Sequence, residues 1–114
     1  MSQHHCTTCL NGRPVRLVAG YDRPLDELFL HVFDARPRAT QWLIFASMHE
    51  PFADWHVAET LVAKLHELDL DVPASFVPAI LDDQRHRAAN KIVVHYFDRV
   101  PEVSAFLTQA RCKR

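Results

Sequence analysis

Histidine and cysteine are concentrated near the amino terminus. The stretch HHCTTC at positions 4–9 places two thiols three residues apart, next to two imidazoles. Two thiolates at this spacing can bind one tetrahedral zinc ion, but a complete site needs further ligands, from Cys112 or from a histidine elsewhere. We therefore predict no cofactor, with zinc as the alternative. The candidate zinc ligands are His4, His5, Cys6 and Cys9.

A second group of ionisable residues lies between positions 49 and 56. It contains two imidazoles and two carboxylates, which are the groups that exchange protons near neutral pH or bind divalent metals. Loop positions next to a strand or a helix are also where many binding sites are built. If the protein is an enzyme or a ligand-binding protein, the candidate residues are His49, Glu50, Asp54 and His56. The alternative is ordinary loop polarity and helix capping.

The known catalytic motifs are missing from the sequence. There is no nucleophile elbow, phosphate-binding loop, dinucleotide fingerprint or HExxH pair. The chain has two glycines in total, which makes a glycine-rich phosphate cradle hard to build. These observations favour a protein that is not an enzyme.

The charge pattern does not favour binding to nucleic acid. Thirteen basic and fourteen acidic residues are interspersed and give a formal net charge of −1. Binding to a phosphate backbone usually requires a wide positive surface. The alternative is a DNA-associated regulator in which paired second helices present their basic residues, namely Arg85, His86, Arg87 and Lys91.

Three short β-prone segments, at 14–18, 25–33 and 41–48, come before the helices. Each is rich in branched or aromatic residues and is bounded by turn-forming residues, which predicts an antiparallel meander. Two segments with helical periodicity follow, at 52–68 and 75–90. Within the second helix, Asp82 and Asp83 stand four residues before His86 and Arg87, a spacing typical of ion pairs on a helix surface.

The remaining segments complete the predicted fold. We expect a fourth strand over 91–97, with an extension of the second helix as the alternative, and a short helix over 101–110. The predicted fold class is α+β: a three-stranded antiparallel meander followed by two long helices, then the fourth strand and a short C-terminal helix. At 114 residues the chain fits one core. We expect a flexible polar leader at 1–12, a single α+β domain at 13–110 and a tail at 111–114.

The composition predicts a cytoplasmic protein without a membrane span. No apolar stretch approaches the roughly 20 residues that a membrane-spanning helix needs, and the amino terminus lacks the apolar core of a signal peptide. The three cysteines lie near the two ends of the chain, without the spacing of a disulfide framework. They are expected to be reduced thiols.

The middle strands carry apolar residues on both faces. In the segment 28–33, Leu28, Leu30 and Val32 point one way, whereas Phe29 and Phe33, which flank His31, point the other. Two helices can cover one face of a sheet, but the short final helix has little surface with which to cover the other face. A second copy of the chain is the simplest cover, because two-fold dimers are the commonest soluble assembly. The alternative is that the final helix and the long loops cover this face within one chain. The predicted interface residues are Phe29, His31 and Phe33.

Three functions follow from these patterns. The first is a non-enzymatic, homodimeric binding or regulatory module, supported by the two-sided strands. The second is a small enzyme or ligand-binding protein, with or without a metal, that uses the cluster at positions 49–56. The third is the DNA-associated regulator. The identity of a small-molecule ligand is not predicted.

Overall fold

The computed structural model describes residues 1–36, 42–50 and 52–103. Within these ranges the chain forms six strands and two α-helices. The strands are β1 (Ser2–Leu10), β2 (Arg13–Asp22), β3 (Glu27–Asp34), β4 (Leu43–Ala46), β5 (Lys91–Val94) and β6 (Glu102–Val103). The helices are α1 (Ala58–Glu67) and α2 (Phe76–His86), and a single 3₁₀ turn covers Ser47–His49.

The strands form one mixed sheet in the order β4-β3-β2-β1-β5-β6. The chain first builds β1 to β4 as consecutive antiparallel neighbours. It then forms both helices and returns to pair β5 parallel to β1, with His4 opposite Val93. The final strand, β6, pairs antiparallel to β5.

The predicted fold class is wrong in its architecture. The structure has a six-stranded mixed sheet in place of a three-stranded meander, and its helices of 10 and 11 residues are shorter than predicted. Glu102–Val103 forms a strand where a final helix was expected. The rest of that predicted helix, 104–110, and the predicted tail, 111–114, lie outside the described residues.

The largest difference concerns the amino terminus. Residues 1–12 were expected to be a flexible leader, but Ser2–Leu10 is a central strand paired with β2 on one side and β5 on the other. Asn11 and Gly12 connect β1 to β2 with φ angles of 52° and 78°. Positive φ at both central residues is typical of the tight hairpin turn that Asn-Gly favours. Polar residues on its buried face hid this strand from the periodicity argument.

The helices begin and end at different residues from those predicted. The first helix was expected from position 52, but the chain before Ala58 forms turns in which Trp55 is buried and its carbonyl accepts a hydrogen bond from the amide of Leu28. The second helix ends before Arg87, whose φ of 50° is left-handed. The strand expected over 91–97 is β5, limited to Lys91–Val94.

Both helices pack on the same face of the sheet, which we call the covered face. Leu61 of α1 and Phe76 and Ile80 of α2 join the hydrophobic core with strand residues such as Leu17 and Leu30. Side chains of alternate strand residues point to the opposite side, which we call the open face. Among the described residues, no helix has the length and apolar character needed to cross a membrane.

Candidate functional site

A continuous line of five hydrogen-bonded side chains crosses the covered face, and we call it the buried polar chain. Its members are Lys91, Asp83, His4, His95 and Ser75. Lys91 Nζ lies 2.6 Å from Asp83 Oδ1, and His4 Nε2 lies 2.6 Å from Asp83 Oδ2. His4 Nδ1 is 2.8 Å from His95 Nε2, and His95 Nδ1 is 2.7 Å from Ser75 Oγ.

The parallel pairing of β1 with β5 creates this arrangement. His4 lies in β1 opposite Val93, so Lys91 and His95 flank it on the same face. Helix α2 then packs over β1 and β5. Ser75 lies just before the first turn of α2, and Asp83 lies inside the helix. Asp83 and His95 are 79 and 91 positions away from His4 in the sequence, yet both are hydrogen-bonded to it.

The hydrogen-bond partners determine where the protons lie. An ionised carboxylate only accepts hydrogen bonds, so His4 Nε2 carries the proton that it donates to Asp83. The Nδ1 of neutral His4 then accepts from His95 Nε2, and His95 Nδ1 accepts from the hydroxyl of Ser75. Ser75, His95 and His4 thus donate in sequence toward Asp83, and Lys91 donates to Asp83 from the other side.

Burial and hydrogen bonding shift the pKa values of three members of the buried polar chain. Burial tends to raise the pKa of Asp83, but hydrogen bonds from His4, Lys91 and Ser2 outweigh it and lower the pKa below its usual value. Burial lowers the pKa of His4, against the opposing effect of Asp83. Burial and the neighbouring His4 lower the pKa of His95 to about 4. At neutral pH, Asp83 is therefore ionised and both histidines are neutral.

The order Ser75, His95, His4, Asp83 has the polarity of a nucleophile followed by its base and an orienting acid. A pKa of about 4 makes His95 a weak base at neutral pH. Ser75 also lines neither of the two cavities described below. The geometry therefore favours a role in holding α2 against β1 and β5 rather than catalysis.

The open face carries a line of ring side chains, which we call the aromatic row. It consists of Phe29, His31, Phe33 and Trp42. Successive ring centroids are 5.4, 6.1 and 6.3 Å apart. The guanidinium of Arg16 lies 5.2 Å from the centroid of the Phe33 ring, within the range of a cation–π contact. Trp42 is 60% exposed, so the row reaches the surface at that end.

The predicted interface residues all belong to the aromatic row. His31 lies between Phe29 and Phe33 on the face opposite Leu30 and Val32, as the alternation in the sequence predicted. Burial lowers the pKa of His31, and the positive form of His49 lowers it further. The centre of the row is therefore uncharged at neutral pH.

The candidate catalytic cluster does not come together as one site. Glu50 Oε1 binds Lys64 Nζ at 2.8 Å, whereas Asp54 Oδ1 and His56 Nδ1 form an exposed contact of 3.1 Å with each other. Glu50 instead shares a cavity of about 300 Å³ with His31, between β3 and the chain before α1. Glu50, a candidate catalytic residue, and His31, a predicted interface residue, thus line the same cavity.

The candidate zinc ligands point to opposite faces of β1. His4 and Cys6 are buried on the covered face, whereas Cys9 is exposed. Residues three apart in a strand lie on different faces, which separates the two thiols. Burial raises the pKa of Cys6 to about 12, so this thiol stays protonated. Among the described residues, no group of three or more histidine, cysteine or acidic side chains is placed to hold a metal ion.

The basic residues at the end of α2 each have an acidic neighbour. Arg85 contacts Asp82 at 3.1 Å and Arg87 contacts Asp26 at 3.2 Å. Lys91 is bound to Asp83, so the predicted surface pair between Asp83 and Arg87 does not form. A carboxylate beside each cation weakens its attraction for phosphate.

The sequence argument missed the buried polar chain because its members are scattered along the chain. Asp83 was assigned to the helix surface, and Ser75 entered only as the first residue of the predicted second helix. One signal was available: the pair Asn11-Gly12 is typical of a two-residue hairpin turn and indicates a strand on each side of it.

Comparisons of the chain with models of known protein families, with curated proteins and with solved structures gave no significant match. We therefore argue the function from the geometry of the chain itself.

Proposed function

We propose that this protein is a non-enzymatic binding module that associates with a second copy of itself through the open face. The observation that carries the proposal is the aromatic row, which lies on the face that neither helix covers. The cytoplasm is the proposed location, since Cys6 and Cys9 are free thiols, as is usual in a reducing compartment.

The exposed apolar surface supports an interface at this position. Trp42 and Leu43 are 60% and 37% exposed, next to the partly exposed ring of Phe33. Exposed apolar patches of this kind mark interaction sites, and aromatic side chains are enriched at the centre of interfaces. Covering this surface would remove Phe33, Trp42 and Leu43 from water, whereas Phe29 is already buried within one chain.

The charge distribution supports a second copy as the partner. On the open face, Arg16 lies at one end of the β2–β3 pair, and Asp22 and Glu27 face each other at the opposite end. A two-fold axis in the plane of the interface and perpendicular to the strands would bring Arg16 of one copy near the two carboxylates of the other. The surface is thus self-complementary, as a closed dimer requires.

The neutral imidazole of His31, at the centre of the aromatic row, is consistent with the same two-fold dimer. The two-fold axis would bring the two copies of His31 close together. Because burial and His49 lower the pKa of His31, both imidazoles are neutral at neutral pH and do not repel each other.

Light scattering coupled to size-exclusion chromatography tests the proposal. We expect the wild-type protein to have the mass of two chains at micromolar concentration, and Trp42→Glu to weaken association at least tenfold. Val62→Glu is the matched control, because Val62 is 48% exposed on α1, on the other side of the sheet. A wild-type protein that is monomeric up to 1 mM, or equal effects of the two substitutions, would contradict the proposal.

A further inference from the structure

A second cavity, of about 490 Å³, opens where β5 separates from β1. The two strands pair as far as Val94, and the amide of His95 donates to the carbonyl of His5 at 2.8 Å. Beyond this point the segment 96–98 diverges, which leaves a cleft beside Thr7. The volume lies in the range of ligand-binding pockets.

The cavity is lined by one arginine and one acidic side chain, those of Arg16 and Asp98, and by the imidazoles of His5 and His95. Neither Arg16 nor Asp98 forms an ion pair with any other described residue, in contrast to Asp83 and Lys91 nearby. Arg16 is held instead over the ring of Phe33. The cavity therefore presents two opposite charges that do not neutralise each other directly.

The rest of the lining combines hydroxyl groups with apolar walls. Thr7 and Tyr96 contribute hydroxyls that have no hydrogen-bond partner in the described part of the chain, and Arg99 stacks on the Tyr96 ring at 3.9 Å. Val94 and Phe97 supply apolar surface. A few polar groups on a largely apolar wall are typical of small-molecule sites.

The imidazole of His95 forms part of the wall without adding charge. Both of its ring nitrogens are already hydrogen-bonded, to His4 and to Ser75. Burial and the neighbouring His4 lower its pKa to about 4, so it is neutral at neutral pH. His95 therefore adds no charge to the cavity, whose arginine and carboxylate are Arg16 and Asp98.

We propose that this cavity binds a small zwitterion, namely a free α-amino acid with an apolar side chain. Its carboxylate would pair with Arg16, its ammonium group with Asp98, and its side chain would contact Val94 and Phe97. A simple anion would face the uncompensated charge of Asp98, and a simple amine would face that of Arg16. Arg16 also belongs to the proposed interface, so the ligand and the second copy would compete for this side chain.

Isothermal titration calorimetry of the full chain with L-phenylalanine tests the proposal. Two truncated ligands serve as controls: N-acetyl-L-phenylalanine lacks the positive charge and L-phenylalaninamide lacks the carboxylate. We expect each control to bind at least tenfold more weakly than L-phenylalanine at pH 7. No binding of L-phenylalanine at 10 mM, or equal affinity for all three ligands, would overturn the proposal.

Two substitutions test which residue binds the carboxylate of the ligand and which binds its ammonium group. Arg16→Gln should weaken binding of L-phenylalanine and N-acetyl-L-phenylalanine about tenfold and should not weaken binding of L-phenylalaninamide, which Arg16 repels. Asp98→Asn should weaken binding of L-phenylalanine and L-phenylalaninamide about tenfold and should not weaken binding of N-acetyl-L-phenylalanine, which Asp98 repels. Arg85→Gln and Asp82→Asn make the same charge changes on the exposed surface of α2 and should alter no affinity. Equal effects of the site and control substitutions would contradict the assignment.

Light scattering on the same samples separates this inference from self-association. Arg16 also contacts the aromatic row, so Arg16→Gln can change both properties. Asp98 lies outside that row, and Asp98→Asn should change ligand affinity while the measured mass stays that of wild type. A monomeric protein that binds L-phenylalanine would contradict the proposed function alone.

Discussion

The two faces of the sheet differ in how far their side chains are removed from water. On the covered face, Asp83 and His4 are almost completely buried, yet each has hydrogen-bond partners that compensate for the loss of water. On the open face, the rings of Phe33 and Trp42 remain partly in water, and neither α1 nor α2 covers them. His4 and Phe33 both belong to strands of the same sheet, and the alternation of side chains along a strand sends them to opposite faces.

This difference shows which face supports stability and which supports contacts with other molecules. A buried charged network is costly to disturb, because removing one member leaves the others buried without partners. A partly exposed aromatic surface adds less to the folded monomer and offers apolar area to a partner. Substitutions on the covered face should therefore affect folding, whereas those on the open face should mainly affect association.

The largest expected effect comes from Asp83→Asn, which keeps the shape of the side chain but removes its charge. The new amide places a donor against either Lys91 or His4, both of which donate. We expect the free energy of unfolding to fall by about 4 kcal/mol, as for other broken buried pairs.

Chemical denaturation of Asp83→Asn and of its neighbour Asp82→Asn measures this effect against a matched control. Asp82 is exposed and pairs with Arg85, so its substitution should cost less than about 0.5 kcal/mol. A loss below about 1 kcal/mol for Asp83→Asn would show that the buried polar chain does not hold the helix.

The next largest effect should be a loss of stability in mild acid. Burial and His4 lower the pKa of His95 from 6.5 to about 4, so the unfolded chain takes up a proton at a higher pH than the folded one. The contribution of His95 is therefore complete above pH 6.5 and is lost as the pH falls from 6.5 toward 4. Between pH 7.5 and pH 5 we expect a loss of about 2 kcal/mol from this residue.

Urea unfolding at several pH values measures this loss. His95→Gln should reduce the dependence on pH, whereas His66→Gln, at an exposed position on α1, should leave it unchanged. The lowered pKa values of His4 and His31 act in the same direction. Stability that is constant from pH 7.5 to pH 5 would contradict the prediction.

The smallest effect compares adjacent residues of β3 that lie on opposite faces. Val32 is fully buried on the covered face, so Val32→Ala should cost about 2 kcal/mol. Phe33 is larger but only partly buried, and Phe33→Ala should cost about 1 kcal/mol when measured at concentrations where the chain is monomeric. If Phe33→Ala costs more than Val32→Ala under these conditions, the open face is already covered within one chain.

Local patterns in the sequence predicted part of this structure. The alternation over 28–33 indicated that Phe29, His31 and Phe33 share one face and Leu30 the other, and the structure has them so. Period and alternation depend only on neighbouring residues, so they can be read directly. The Asn11-Gly12 turn was equally local, although its hairpin was overlooked.

The candidate sites were harder to predict because they depend on distant pairings. Parallel pairing of β1 with β5 joins residues about ninety positions apart, and no local pattern indicates it. The same pairing buries Asp83 against His4 and opens the cavity lined by Arg16 and Asp98. Each of these features follows from which strands meet.

The sequence by itself determined the two-sided character of the middle strands, because side-chain direction alternates along any extended chain. Only the tertiary structure decided which face the helices cover, which acids and bases are buried together, and where a cavity forms. The physical reason is that burial and pairing are properties of contacts between distant segments. A carboxylate such as Asp83 is a surface group or a buried one according to the strands beneath its helix.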